Sequence, residues 1–427
     1  MPEGASGRSS VVLILGATVV SGIAGYVVTW QVARTIGPGQ YAIFAVFWSA
    51  LYLIVGVLFG LQQEATQATA ATEASSRATA AGTPGTRRVS IARFAAVIAV
   101  CAMVVVGVSS LAWAPAALGG AHLDLVWPIV IGAGFNCLVA AASGVMAGSE
   151  MWRHLASIVA IDGVLRVAGV LLVLSFGHGV TELAWAVIIP FPLSLAIVFG
   201  SSPRRILRSA RVSLGYRTLM RQTGQTMLAA TATAVLINGF PLILSFYSTT
   251  ADKSALGALI LAVTLTRAPI LVPLMALQSF LVTRFSLQPA TAPKLILRIF
   301  VGIAIVIALL ALATFLWGTQ LMGLFFGTGF ALEPAVLVPL VASSGLIGAL
   351  CVSGPAVLAR HRHGVYAAGW VAASVCAILV LFIPIPLDNR AALALASGPL
   401  VGLCVHIGYL IRDRGRTPNP VRSVSQA

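Results

Sequence analysis

Charge is scarce in this 427-residue chain: 9% of its residues are Asp, Glu, Lys or Arg, where a soluble globular domain carries about 25%. That shortage excludes a soluble globular fold. Disorder is excluded as well, because its signature is low hydrophobicity and 59% of these residues are hydrophobic. Lysine is nearly missing, with only Lys253 and Lys294 among 26 basic residues, and the acidic residues number 11. The five cysteines (Cys101, Cys137, Cys351, Cys376, Cys404) all lie in apolar stretches with no CxxC spacing, so they read as small buried residues. Neither a GxxxxGK[ST] loop nor a GxGxxG following a strand occurs, and ATP-driven transport by this chain is not expected. Of the six histidines only His406 falls inside an apolar span, with no second ligand three or four residues on. No metal and no cofactor are therefore expected.

What the chain has in abundance is apolar sequence in blocks long enough to cross a bilayer. A helix needs about 20 such residues for a ~30 Å hydrocarbon core. Spans are read near 11–34, 41–65, 91–113, 125–148, 157–177, 182–200, 222–247, 254–282, 298–318, 334–358, 365–386 and 391–411. The first is too long for the apolar region of a signal peptide and no small-x-small site follows it, so it is expected to be retained. The fold class is thus an all-α polytopic membrane protein with about twelve transmembrane helices.

The net charge of +15 then reads as orientation, since cytoplasmic loops collect Lys and Arg. One set of loops holds Arg8, then Arg77, Arg87, Arg88 and Arg93, then Arg153, then the run Arg204, Arg205, Arg208, Arg211, Arg217 and Arg221. The same side gathers Arg284, Lys294, Arg298, Arg360, Arg362 and the tail residues Arg412, Arg414, Arg416 and Arg422. At the opposite edge stand only Arg34, Lys253 and Arg390, with the acids Asp124, Glu182, Asp252, Glu333 and Asp388. Both termini are expected to be cytoplasmic in the plasma (inner) membrane, and heavy Ala, Gly and Arg usage fits a bacterial source. The basic residues are spread over every inner loop and not interleaved with aromatics. Anionic lipid headgroups suffice as their partners, and nucleic acid is not expected.

The most basic loop, 201–221, divides the spans six and six, a plan common in transporters. The expected organisation is an N-terminal lobe over 1–205, a basic linker over 206–221, a C-terminal lobe over 222–411 and a cytoplasmic tail over 412–427. Sliding one half by 215 residues sets Gln63 on Gln278, which is consistent with a repeat without demonstrating one.

Charges inside the spans ask for a reason, because an Arg at a helix centre costs roughly 2.5–3.5 kcal/mol on the insertion scale. Arg267 lies near the middle of its span, with no acid within one helical turn and with Pro269 and Pro273 after it. A kinked helix carrying a cation at mid-depth suggests a water-filled cavity that admits an anion; the other reading is an Arg bonded to carbonyls freed by its own kink. Asp162 and Arg166 are four apart, share a helix face and can neutralise each other, either as an internal pair or as a pair facing a cavity. Glu64 follows Gln62 and Gln63 at the inner end of its span, where snorkelling explains it as well as function does. Arg34 ends the first span just before Gly37-Pro38, and interfacial anchoring competes with a substrate role. Asn238-Gly239 and Pro241 break the seventh span, and Asn238 reads as an interhelical hydrogen-bonding group or a contact to substrate.

The segment from Ser21 through Gln67 resembles the first hairpin of the polysaccharide (O-antigen type) flippases of the MOP superfamily. The matching residues are Ala33-Arg34, Gly37-Pro38 and Tyr41, then a span closing on Gly60-Leu61. The stretch from Arg267-Ala268-Pro269 to Leu281-Val282-Thr283-Arg284 is similar to a C-lobe helix of the same group, in which a Pro-Arg often closes the helix; here Thr283 replaces the Pro. The resemblance implies two six-helix lobes around a central cavity that opens alternately to either side, the MATE-like architecture. It implies a substrate of sugars on a polyprenyl pyrophosphate, moved from the inner to the outer leaflet, and polysaccharide-synthesis enzymes as further partners. A pyrophosphate needs cations at mid-depth, and planar guanidinium binds phosphate oxygens in pairs. Arg267 is the first candidate for the headgroup and Arg34 the second, with Arg166, Asp162, Glu64 and Asn238 completing the substrate-binding set.

Competing functions are weighed by what is missing. A MATE-type drug or cation exporter should hold acids in its first lobe, and the first span has none. A major facilitator should show a Gly-x-x-x-Asp-Arg-type motif between its second and third spans, where 66–90 reads as an Ala/Thr-rich linker. The lipid II flippase, a cousin in the MOP superfamily, commonly has two helices more than are read here. A membrane glycosyltransferase, polymerase or ligase needs a sizeable outer loop, whereas 114–124 and 319–333 are short with one acid each. The chain is not expected to be an enzyme.

Overall fold

A computed structural model describes residues 3–78, 89–177, 179–201, 206, 208–248, 253–288, 291–360 and 362–414. Of the charges read above, Arg87, Arg88, Arg204, Arg205, Asp252, Arg416 and Arg422 lie outside the described residues. Helices dominate, in the order α1 Glu3–Ala78, α2 Ile91–Leu118, α3 Val126–Gly148, α4 Trp152–Ser175, α5 Val180–Ile188, α6 Pro190–Ser201 and α7 Tyr216–Ile237. There follow α8 Phe240–Ser245, α9 Lys253–Leu287, α10 Ala292–Phe326, α11 Pro334–Leu358, α12 His363–Val380 and α13 Leu387–Arg414.

Ten of these helical runs among the described residues are long and apolar enough to cross a membrane. The first, Gly16–Ser76, has 61 residues, about 90 Å at 1.5 Å per residue and some three times the hydrocarbon core. It therefore serves as two spans, and the break is at Gly37, whose backbone (φ 74, ψ 171) leaves the helical region and is followed by Pro38. Positive φ is tolerated there because glycine lacks a Cβ. The broken pair α7 and α8 falls short of the ten because Arg217, Arg221, Gln222, Gln225 and several threonines dilute α7. With α1 counted as two limbs and α7–α8 as one interrupted span, the helices accommodate the twelve spans read from the sequence.

Two boundaries differ from that reading for identifiable reasons. Helix α7 starts at Tyr216, inside the segment read as linker, since Arg and Gln are good helix formers outside the apolar core. The span read over 182–200 is split into α5 and α6 at Pro190, which has no amide hydrogen to donate. Two short strands, β1 Val89–Ser90 and β2 Arg211–Val212, pair antiparallel with Val89 opposite Val212. Two-residue strands carry no periodicity that a sequence reading could detect.

The chain forms two compact units, Met1–Leu261 with Thr319–Leu332, and Ala262–Gly318 with Glu333–Ala427. In the first, α1 packs on α3, α4 and α7, around a core that includes Leu58, Leu61, Phe94, Cys137, Met146 and Ile158. Small residues let the backbones approach, as expected where packing rather than hydrophobicity joins helices in lipid. Gly60 is the clearest case: a methyl placed there would sit 2.5 Å from the Met227 amide nitrogen of α7. Gly60→Val is expected to destabilise the protein by about 1–3 kcal/mol through overpacking against an unyielding backbone. The check is a lowered thermal unfolding midpoint of the purified protein in detergent.

In the second unit, α9, α11 and α13 enclose Leu281, Phe285, Val352, Val357 and Leu410. Helix α10 exposes Leu297, Val301, Ile305, Leu309, Leu312 and Phe315, the surface that bilayer lipid covers in a membrane-spanning helix.

Candidate functional site

Helix α4 carries a polar cluster that joins it to α1 and α6. Asp162 and Arg166, one helical turn apart, form the ion pair, with Arg166 Nη2 donating to Asp162 Oδ2 at 2.5 Å. Arg166 is 5% exposed, and its Nη1 donates to the Tyr52 hydroxyl on the second limb of α1. Its guanidinium lies 5.8 Å from the Tyr52 ring centre and 5.4 Å from that of Phe191 on α6, within range of cation–π attraction. Tyr52 in turn stacks on Trp48, with centroids 4.7 Å apart and planes 16° apart, and Phe44 lies 5.7 Å beyond Trp48. Two atoms of the cluster, Asp162 Oδ1 and Arg166 Nε, are buried with no hydrogen-bond partner. Tyr52 and Trp48 were not picked out from the sequence. The signal was present, because Phe44, Trp48 and Tyr52 repeat every four residues and so share one face of α1.

Arg34 has different company. It is exposed, and its Nη1 donates to the Phe325 carbonyl at 3.3 Å, which also accepts from Trp30 Nε1 at 3.0 Å. Phe325 is in the last turn of α10, where carbonyls have no partner within the helix and cations are favoured by the helix dipole. The neighbouring Tyr41 ring meets Phe330 edge-on at 5.6 Å. The Arg-Gly-Pro-Tyr segment thus receives the Phe325–Phe330 end of the chain segment Thr319–Leu332, within the first unit.

Asn238 caps the C-terminus of α7, and its carbonyl accepts from Ser49 Oγ at 2.5 Å, while Ser49 Oγ accepts from the Leu242 amide at 3.1 Å. One hydroxyl on α1 therefore serves both sides of the α7–α8 break, supplying groups that the interruption at Gly239–Pro241 leaves without helical partners. Ser49→Ala is expected to cost about 1–3 kcal/mol, the penalty for buried backbone groups left unsatisfied, read as a lower unfolding midpoint with unchanged helix content. Glu64 is 4% exposed on α1.

In the second unit, Arg267 is 6% exposed within α9, two residues before Pro269. His406 is fully buried on α13, with Nδ1 2.9 Å from Ser353 Oγ and Nε2 3.2 Å from the Tyr366 carbonyl. Both ring nitrogens are thereby engaged in joining α11, α12 and α13. Asp162 and Arg166 are together, Arg34 and Asn238 have separate partners in the first unit, and Arg267 belongs to the second unit.

No protein-family model matches the chain. It is 32% identical over 417 residues to Uncharacterized protein Rv1510 of Mycobacterium tuberculosis, covering 96% of this chain and 94% of that protein. It is 31% identical over 418 residues to Uncharacterized protein Rv3630 of the same organism, covering 96% of both chains. Among solved structures, the inward-facing conformation of a multidrug resistance MATE family transporter of the MOP superfamily aligns with a TM-score of 0.72 at 12% identity, covering 96% of this chain and 100% of that one. The lipid II flippase MurJ in an inward closed conformation aligns with a TM-score of 0.68 at 12% identity, covering 94% and 87%. These structural similarities establish the fold of a MATE/MOP-type multi-pass membrane protein.

Proposed function

The chain belongs to the family of the mycobacterial proteins Rv1510 and Rv3630 and has the MATE/MOP fold, and from this premise we propose that it is a flippase for polyprenyl-pyrophosphate-linked oligosaccharide. The observation that carries the reading is Arg267, a guanidinium buried to 6% exposure inside a membrane-spanning helix. A cation at that depth is costly unless it has work to do, and a pyrophosphate headgroup passing through the membrane is an anion that repays it. Guanidinium presents paired donors to two phosphate oxygens, a geometry an ammonium lacks. The Asp162 carboxylate of the first unit is paired with Arg166, so that pair offers no net negative charge to a cationic drug.

In this reading the two six-helix lobes alternate access between the leaflets. Both termini face the cytoplasm of a bacterial plasma membrane, where basic loops contact anionic lipids and polysaccharide-synthesis enzymes supply and consume the substrate. The test in cells is depletion of the chain, followed by extraction of lipid-linked sugars and probing of their sidedness. Accumulation on the cytoplasmic leaflet, reversed by the wild-type chain, is the expected result; an unchanged pool and sidedness would contradict the proposal.

A further inference from the structure

We infer that Trp48, Tyr52, Asp162 and Arg166 form a sugar subsite that reads hydroxyl groups of the glycan and not its pyrophosphate. The inference rests on the lipid-linked substrate proposed above and assigns the two ends of that substrate to different residues.

Charge decides against phosphate at this cluster. Asp162 and Arg166 are paired at 2.5 Å, so the cluster is neutral as a whole, and a pyrophosphate entering it would meet a carboxylate as closely as a guanidinium. Hydrogen-bonding capacity decides in favour of a hydroxyl. The pair leaves one acceptor, Asp162 Oδ1, and one donor, Arg166 Nε, buried and without partners, while Arg166 itself is only 5% exposed. An alcohol donates one hydrogen bond and accepts others, so one or two sugar hydroxyls satisfy both atoms. An ionised phosphate has only acceptors and leaves Oδ1 unsatisfied.

Shape points the same way. Trp48 and Tyr52 are both half-buried and stacked with planes 16° apart, and Tyr52 Oη is tied to Arg166. That bond holds the Tyr52 ring and, through the stacking, the indole, while the Phe191 ring lies 5.4 Å from the same guanidinium. A pre-set aromatic pair next to an acceptor and a donor suits a pyranose ring, whose apolar C–H groups pack on aromatic rings and whose rim carries hydroxyls. The rings carry little conformational entropy, so ordering them on binding costs little.

The test compares binding of two probes to the purified full chain in nanodiscs: undecaprenyl pyrophosphate without sugar, and the same lipid bearing one N-acetylglucosamine, galactose or glucose. The wild-type chain is expected to bind at least one sugar-bearing lipid about tenfold more tightly than the sugar-free lipid, the difference one well-placed buried hydrogen-bonding group supplies. Trp48→Ala and Asp162→Asn are expected to erase that preference, and Trp48→Phe to keep part of it. Arg267→Ala is expected to weaken both lipids alike, and retained binding of the sugar-free lipid shows that the Trp48 and Asp162 variants are folded. Equal affinity of the wild-type chain for both probes, or a preference that survives Trp48→Ala, would overturn the subsite while leaving the flippase reading intact. Failure of the wild-type chain to bind either lipid would overturn the lipid-linked substrate and the subsite with it.

Discussion

Arg267→Ala is expected to cut delivery of lipid-linked sugar across the membrane by about 10- to 100-fold, since a hydrogen bond to a charged group contributes about 1.5–3 kcal/mol. The lipid-linked intermediate then accumulates on the side where it is made. Arg267→Lys keeps the charge and loses the paired donors, so it is expected to fall between alanine and the parent chain. The two variants together separate the roles. If the guanidinium serves only to bond carbonyls near Pro269, the alanine variant loses thermal stability and retains transport per folded molecule. If it holds phosphate, folding survives and transport does not. The assay is a count of lipid-linked sugar on each leaflet, normalised to folded protein in the membrane.

Asp162→Ala is expected to have the second large effect, this time on stability. It leaves Arg166, 5% exposed, as an uncompensated buried cation, and breaking a buried pair from one side costs about 3–5 kcal/mol. The Tyr52 hydroxyl and the Tyr52 and Phe191 rings soften that loss without supplying a negative charge. Replacing both partners with apolar residues of similar size, Asp162→Leu with Arg166→Met, is expected to recover most of the stability, because the desolvation cost of two charges disappears together. The double variant is nevertheless expected to lose sugar discrimination, as it removes both hydrogen-bonding atoms. Thermal unfolding in detergent reads the first effect and lipid binding the second. An Asp162→Ala protein as stable as its parent would show that the pair is hydrated and not buried.

The pattern of what the sequence reveals follows from the distance over which each contact acts. The spans are legible because bilayer thickness imposes a length on every one of them. The Asp162–Arg166 pair is legible because four residues on a helix place two side chains on one face. The turn at Gly37-Pro38 is legible because glycine and proline act on their own backbone. Contacts between helices are another matter: Arg166 reaches Tyr52 across 114 positions, Ser49 reaches Asn238 across 189, and Arg34 reaches Phe325 across 291. No local pattern encodes those partners. Arg34 illustrates the consequence, since its place at a helix end was visible while its bond to the last turn of α10 was not. The aromatic face Phe44, Trp48 and Tyr52 lies between these cases. Its spacing is visible in the sequence, while its contact with Arg166 comes from a distant helix.

The most direct measurement of the central claim uses the purified chain in liposomes carrying a fluorescent sugar on undecaprenyl pyrophosphate in one leaflet. A membrane-impermeant reductant then reports how much label reaches the other leaflet. With the wild-type chain, label is expected to cross at a rate proportional to the number of protein molecules, and Arg267→Ala liposomes are expected to resemble protein-free ones. Equal crossing with the wild-type and Arg267→Ala chains would contradict the headgroup role of Arg267, and no crossing above protein-free liposomes with the wild-type chain would contradict the flippase itself.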